Sequence, residues 1–407
     1  MNKLMVTART LANCLLVLTF VAAAAGCAGA PTRNPPPMEL VNQVGVPGLP
    51  EARFWNDEWP RFSVERLQTF TDDDFRQNFP ATYDTPHNYL AISGGGSNGA
   101  FGAGLLVGWT ESGTRPEFTM VTGISTGALT APFAFLGSEY DDKLKDVYTT
   151  ISTKDVARKR NIISAAFSDS MIDTRPLRAL IERTINTDVI RAIAREHERG
   201  RRLFVGTLNI DAGRSVIWNI GAIAASDYPR KVGLIHDVLQ ASSAIPVAFP
   251  PVEIPVETNG ITYQEMHVDG GTGSQVFVYP AAVDWKEIVE KLKVQGEPKV
   301  FIIRNSFLDP QYASVKRSLL PIAGRTIDSL IRTQGIGDLY QIYTLCLRDG
   351  NDFNLAYIPA SFTEKSAEAF DPVYMGKLFD RGYEMARTGY QWKKWPPGLH
   401  VSTVNKD

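Results

Sequence analysis

Along most of the chain, short apolar runs of strand length alternate with longer helical segments. Residues 88–92 are apolar after Asn88 and run into Ser93-Gly94-Gly95-Gly96-Ser97-Asn98-Gly99, with a small, apolar, helix-like segment over 100–109 behind them. The pattern repeats at 118–122, an apolar and β-branched strand, followed by Gly123-Ile124-Ser125-Thr126-Gly127 and a helical segment over 128–136. Further strands are expected at 202–208, 215–218, 261–268, 299–303 and 353–358, and helices at 231–243, 281–296, 312–347 and 371–392. Asp211-Ala212-Gly213-Arg214 is a hairpin signal between two of the strands. Pro246 stops the helix before it, and Gly335-Ile336-Gly337 is a break signal inside the longest one. Strands alternating with helices predict an α/β fold, a mostly parallel sheet covered on both faces.

Composition narrows the partners. The 407 residues carry 42 Lys plus Arg against 44 Asp plus Glu, a net charge of −2, with 44% hydrophobic residues. That is ordinary for a globular protein and offers no basic field for nucleic acid. The N-terminal stretch differs in kind: Lys3 and Arg9 flank the start of an uncharged run from Leu11 to Ala25, and Ala24-Ala25-Gly26 leads to Cys27. This reads as a secretory signal over 1–26, too short for a spanning helix. Its small-small-Cys ending is similar to the lipobox of bacterial lipoproteins. That likeness implies lipidation of Cys27, and Ala28 in place of Asp favours the outer membrane of a bacterial envelope. Residues 27–50, rich in Pro and Gly, are expected to be a flexible tether, and 51–87 an arm lying on the body. The catalytic core is expected over 88–285, with 286–407 completing the same domain. Cys14 lies in the signal, which leaves Cys27 and Cys346; a lipidated Cys27 leaves no intrachain disulfide. No Cys/His cluster has metal-ligand spacing, and no motif calls for a cofactor.

Two stretches carry chemistry. Gly123-Ile124-Ser125-Thr126-Gly127 reads G-x-S-x-G between a strand and a helix, a turn that pushes a serine hydroxyl out of the sheet. The helix start behind it favours developing negative charge. Taken alone, the pentapeptide also fits a glycine turn with an incidental serine. Gly94, Gly95 and Gly96 sit on the preceding strand-loop-helix unit, so their N–H groups can face Ser125 and meet an oxyanion, with Thr126 N–H as a further donor. The same loop could cradle a nucleotide phosphate, but no Gly-Lys-Ser/Thr follows, and G-x-G-x-x-G over Gly94, Gly96 and Gly99 leaves Ser125 unexplained.

The base is the harder assignment. Among five histidines only His400 follows Asp269, and it lies in the last eight residues; His267 sits on one strand with Asp269 and reads as structural. Asp269 ends an apolar strand at Gly270-Gly271, which puts a carboxylate at the sheet edge. Burial would raise its pKa from about 3.9 toward that of a useful base.

Together Gly94 to Gly99, Gly123 to Gly127, Ala241-Ser242-Ser243-Ala244-Ile245-Pro246 and Asp269-Gly270-Gly271 occur in the order of the patatin-like phospholipases, which the chain resembles over 88–285. The resemblance implies a three-layer α/β/α sandwich, a Ser125–Asp269 dyad without histidine, an oxyanion loop at Gly94, Gly95 and Gly96, and Ca²⁺-independent hydrolysis of lipid acyl esters. Ala241 to Pro246 would line the site. One departure stands out: many members carry Arg or Lys where Asn98 lies here. The competing expectations are an α/β-hydrolase esterase with a Ser125/Asp269/His400 triad, and an inactive lipoprotein that binds lipid or a protein partner in the same cleft.

Overall fold

The computed structural model describes residues 33–159, 172–246 and 248–399. The expected signal, Cys27 and His400 lie outside the described residues. Nine strands make one sheet: β1 (Arg53–Trp55), β2 (Asn88–Ile92), β3 (Met120–Ile124), β4 (Arg202–Asn209), β5 (Arg214–Asn219), β6 (Val252–Thr258), β7 (Ile261–Asp269), β8 (Lys299–Phe307) and β9 (Asp352–Ile358). The order is β1-β5-β4-β3-β2-β8-β9, with β7 also paired to β4 and β6 to β7. The five central strands β4, β3, β2, β8 and β9 are mutually parallel, as the alternating pattern predicts. The margin is antiparallel: β5 on β4, β1 on β5, and the β6–β7 hairpin on β4.

The helices that bear on the site are α1 (Arg61–Thr69), α2 (Gly99–Glu111), α3 (Thr126–Leu136), α4 (Lys231–Ser242), α5 (Trp285–Lys291), α6 (Leu319–Asp349) and α7 (Pro372–Ala386). Alternation along the strands assigns the two faces. Leu90, Ile92, Val121, Phe301 and Ile303 pack into the cluster that holds α2, α3, α4 and α7. Their neighbours Tyr89, Ala91, Met120, Val300 and Ile302 pack on the other face with Leu339, Ile342 and Cys346 of α6. The result is the α/β/α layering expected of the sequence.

Several expectations shift. The helix expected over 281–296 shrinks to α5, and the last helix ends at Ala386. No break occurs at Gly335-Ile336-Gly337; α6 is continuous because Gly335 serves close approach, and a Cβ there would overlap the Arg304 guanidinium. Strand β6 was not expected, since Pro255 sits inside it; it is tolerated there because β6 ends the sheet. The tether expected over 27–50 is packed from Asn34 onward: Gln264 N–H donates to Asn34 O at 2.8 Å, and Gly45 and Glu257 exchange backbone bonds of 2.8 and 3.1 Å. It pairs with backbone on both edges of the β6–β7 hairpin, at Gln264 of β7 and Glu257 of β6, groups that would otherwise be unpaired.

Candidate active site

β3 ends at Ile124 and α3 begins at Thr126, so Ser125 alone makes the turn, at φ 55° and ψ −122°. A non-glycine residue in that region costs about 1–3 kcal/mol and persists only if its surroundings hold it. They do. The Ser125 N–H donates to Ser242 Oγ at 2.9 Å, and the Ser242 hydroxyl donates to Gly206 O at 2.7 Å. One side chain at the end of α4 thus bridges the elbow to β4. Gly127 allows α3 to start against β2, since a Cβ there would overlap the Ile92 carbonyl oxygen. Ser242 belongs to Ala241 to Pro246, the motif whose role the sequence left open. Its Ala244 carbonyl also accepts the Asp269 N–H at 2.9 Å. The motif therefore positions both members of the expected pair. Ser242→Ala would leave the Ser125 N–H and Gly206 O without their partner; a stability loss of about 1–3 kcal/mol by chemical denaturation is expected, with kcat on a chromogenic ester falling more than KM rises.

Asp269 reaches Ser125 from an unexpected direction. β7 is antiparallel to β4, not parallel to the core, and its register pairs Asp269 with Thr207 while β3 pairs Ile124 with Gly206. The two side chains are therefore level. Ser125 is 7% and Asp269 6% exposed. The Gly271 N–H donates to Asp269 Oδ1 at 2.7 Å, and the Ser125 hydroxyl is near enough to the carboxylate to favour its charged form. Burial pushes the Asp269 carboxyl up to about 7, against the downward pull of the Ser125 hydroxyl and the Gly271 N–H. His267 is engaged elsewhere, with Thr207 Oγ1 at 2.9 Å and with Glu265 at 3.1 Å, and Glu265 is itself ion-paired to Arg53. Its structural reading stands.

The glycine loop is held from β8. The Asn305 N–H donates to Ser93 Oγ at 2.9 Å, its Nδ2 donates to Ser93 O at 3.0 Å, and its Oδ1 accepts the Gly102 N–H at 3.0 Å. Gly95 lies flat on Asn305, where a Cβ would overlap the Asn305 carbonyl oxygen. Gly94 N–H donates to Gln275 O at 3.1 Å, which ties the loop to the segment after Asp269-Gly270-Gly271. Asp338 of α6 in turn accepts the N–H groups of Gln275 (2.6 Å) and Val276 (3.3 Å). Asn98 is not free: Tyr374 of α7 donates to its Oδ1 at 2.7 Å.

Gly94, Gly95, Gly96, Ser125, Asp269 and Gly271 all line one cleft of about 490 Å³. Gly123 and Gly270 back it without lining it, each against a backbone carbonyl, of Gly127 and Gly206. Arg304, Arg325 and Arg332 line its polar wall, with Asp309 and Asp328. Arg304 is buried, and burial pushes its guanidinium down to about 10. Sequence reasoning missed Arg304, Asn305 and Asp338. A second, apolar slot of about 40 Å³ opens from the other side of Ser125, between Leu129, Val147, Ile151, Leu180 and Phe249. Ser125, Gly96 and Ile245 line both, so the hydroxyl stands where a polar cleft meets an apolar slot. Among the described residues no histidine lines either space, and no group of three His, Cys, Asp or Glu side chains is placed to hold a metal.

No curated protein matches the sequence. Among solved structures, VipD from Legionella pneumophila is similar at 12% identity and a TM-score of 0.37, over 74% of this chain and 66% of that one, just under two thirds of its length. Residues 90–282, which contain the elbow, the glycine loop, Ser242 and Asp269, match the patatin-like phospholipase family model. Over those residues, just under half of the chain, it is similar to the patatin-like phospholipases.

Proposed function

We propose that the protein is a serine lipid acyl hydrolase that cleaves carboxylic esters through an acyl-enzyme on Ser125, with Asp269 as the base and no histidine. The observation that carries this reading is Ser125, on an elbow held in strained geometry, sharing one cleft with the buried carboxylate of Asp269, whose pKa its hydroxyl pulls down. Asp269 takes the Ser125 proton as Oγ bonds to the ester carbonyl carbon. The resulting oxyanion is met by the N–H groups of Gly95 and Gly96 and of Thr126, at the start of α3, while the Gly94 N–H, engaged by the Gln275 carbonyl, holds the loop in place. The intermediate collapses, the bond to the alcohol breaks, and protonated Asp269 returns its proton to the leaving oxygen. Water then attacks the acyl-enzyme by the same path, and the acid is released.

The two spaces around Ser125 fit a substrate with two unlike ends. The acyl chain enters the slot at Leu129 and Phe249, and the polar alcohol part occupies the cleft beneath Arg304, Arg325 and Arg332. Those arginines supply the positive charge that Asn98 does not, which favours a phosphate-bearing lipid. We place the body at the membrane of a bacterial envelope through lipid on Cys27, on the composition of residues 1–27. The test is reaction with a fluorophosphonate probe, mapping of the adduct by mass spectrometry, and hydrolysis of a panel of phospholipids and short p-nitrophenyl esters. An adduct on Ser125 with ester turnover is expected; absence of both sinks the reading.

A pH profile checks the base. Asp269 accepts a proton only when ionised, and its pKa lies at about 7. So kcat/KM is expected to rise about tenfold per pH unit up to about 7 and to level off above it. A profile flat from pH 5 to 9 would exclude Asp269 as the base.

A further inference from the structure

At the opposite end of the strands from Ser125 lies another cavity, of about 160 Å³, closed over by α1 and α5. Its floor is the N-terminal ends of β2, β3 and β4, where Tyr89, Met120, Arg202 and Phe204 line it. Met120 opens β3 and Ser125 follows its last residue, so strand rise separates the two sites by roughly 15 Å. The walls are mostly aromatic and aliphatic, with Arg66, His87, Asn219 and Arg202 among the polar side chains.

Arg202 is enclosed by protein yet keeps accessible surface, because it faces the cavity. One terminal nitrogen donates to the carbonyls of His197 (3.1 Å) and Arg201 (2.9 Å), and the guanidinium lies 4.8 Å from the centre of the Phe79 ring. Among the described residues no carboxylate pairs with it. Two other enclosed arginines are paired, Arg53 with Glu265 and Arg115 with Asp141, whereas Arg304 in the catalytic cleft is without an ion pair among the described residues. The nearest acid, Glu51, is engaged by Arg66 at the cavity wall. Burial first, and the Arg66 charge second, push the Arg202 guanidinium down to about 10. An unpaired cation facing an apolar space is costly, and an anion with an apolar tail removes that cost.

We propose that this cavity binds a short- to medium-chain fatty acid, with the carboxylate on Arg202 and the chain between Met120, Phe204 and Phe277. An apolar cavity of about 150 Å³ is known to hold benzene, so the interior suits roughly six to eight carbons. Such acids are the class of product that acyl hydrolysis releases, but the site shares no residue with the catalytic cleft, and the inference stands whether or not Ser125 is a nucleophile.

Titration calorimetry of the full chain with octanoate and with 1-octanol tests it, on wild type and two variants checked for folding by circular dichroism. Arg202→Met keeps the apolar stem and removes the charge; Ser63→Phe, on α1 at the cavity wall, fills the space. Wild type is expected to bind one octanoate. Arg202→Met is expected to weaken octanoate at least tenfold and 1-octanol less than twofold, and Ser63→Phe to weaken both at least tenfold. No binding by wild type, or octanoate binding unmoved by Ser63→Phe, overturns the site. Equal affinity for the acid and the alcohol, or octanoate binding unmoved by Arg202→Met, overturns the carboxylate assignment. Should Arg202→Met fail to fold, the acid-to-alcohol comparison on wild type and the Ser63→Phe result decide.

Discussion

Asp269→Asn is expected to lower kcat/KM for ester hydrolysis by roughly 10³-fold or more and, at the same time, to raise thermal stability at alkaline pH. The two effects have one origin. A carboxylate held in a site that is 6% exposed is a stronger base than a free one, because the folded protein disfavours its charge. The sign follows by linkage. The unfolded chain releases this proton near 3.8, whereas the folded chain holds it to about 7. Below 3.8 both states are protonated and the group is neutral toward stability. Between those values the folded state loses ground, and above about 7 the loss is complete, on the order of 2–4 kcal/mol. Asparagine keeps an acceptor for Gly271 N–H and never ionises. Melting curves should therefore show a gain of several degrees at pH 8 and none at pH 4. Ser125→Ala should match the loss of activity, and the double variant should lose little more, because the two act as a unit. An Asp269→Asn variant that keeps activity within tenfold of wild type would remove the proposed mechanism.

Gly95→Ala is expected to cut kcat by roughly 10²–10³-fold with little change in KM, the loss typical of an oxyanion donor moved out of place. The reason is steric. A Cβ at Gly95 would overlap the Asn305 carbonyl oxygen and crowd the Asn305 Cβ, at 2.7 Å. That neighbour is sheet backbone, held by β8 between β2 and β9, so the loop must move instead. Gly96→Ala is the comparison. Its Cβ would meet nothing within 4 Å, so only the positive φ of 58° penalises it, by about 1 kcal/mol. Hydrolysis rates of the two purified variants, beside their denaturation midpoints, separate loss of geometry from loss of fold. Equal kcat values for the two would refute a role for the Gly95 position in the site.

What could be read from the sequence was local. The elbow and the glycine loop announce themselves because steric demand concentrates at consecutive residues between a strand and a helix. Asp269 announces itself through the Gly-Gly that follows it. What could not be read is contact between distant parts of the chain. Asn305 meets Ser93 across 212 positions, and Ser242 meets Ser125 across 117. Neither residue differs locally from any other polar side chain near a strand or helix end. The direction of β7 was also hidden, because an apolar strand reads the same whichever way it runs. Gly335 misled in the opposite sense. It was read as a helix break, whereas its lack of a side chain makes room for the Arg304 guanidinium. The positive charge missing at Asn98 could not be found elsewhere without knowing that Arg304 lines the same cleft.

The antiparallel entry of β7 sets apart two parts of the site that act together. Ser125 stands on the central parallel strands, clamped between β2 and β4. Asp269 rides on a marginal hairpin that joins the sheet through three residue pairs, Thr207–Asp269, Leu208–Val268 and Asn209–His267, with further ties from the Ile210 N–H to the Met266 carbonyl, from Thr207 to His267, from Arg53 to Glu265 and from the Asp269 N–H to the Ala244 carbonyl. The proposed nucleophile and the proposed base thus stand on different parts of the sheet, one central and one marginal. Fraying of the hairpin would disconnect the proton acceptor while leaving the serine elbow in place. The packing of residues from Asn34 onward against both edges of the hairpin then acquires a meaning beyond covering exposed strand: the most N-terminal of the described segments braces the hairpin that carries Asp269.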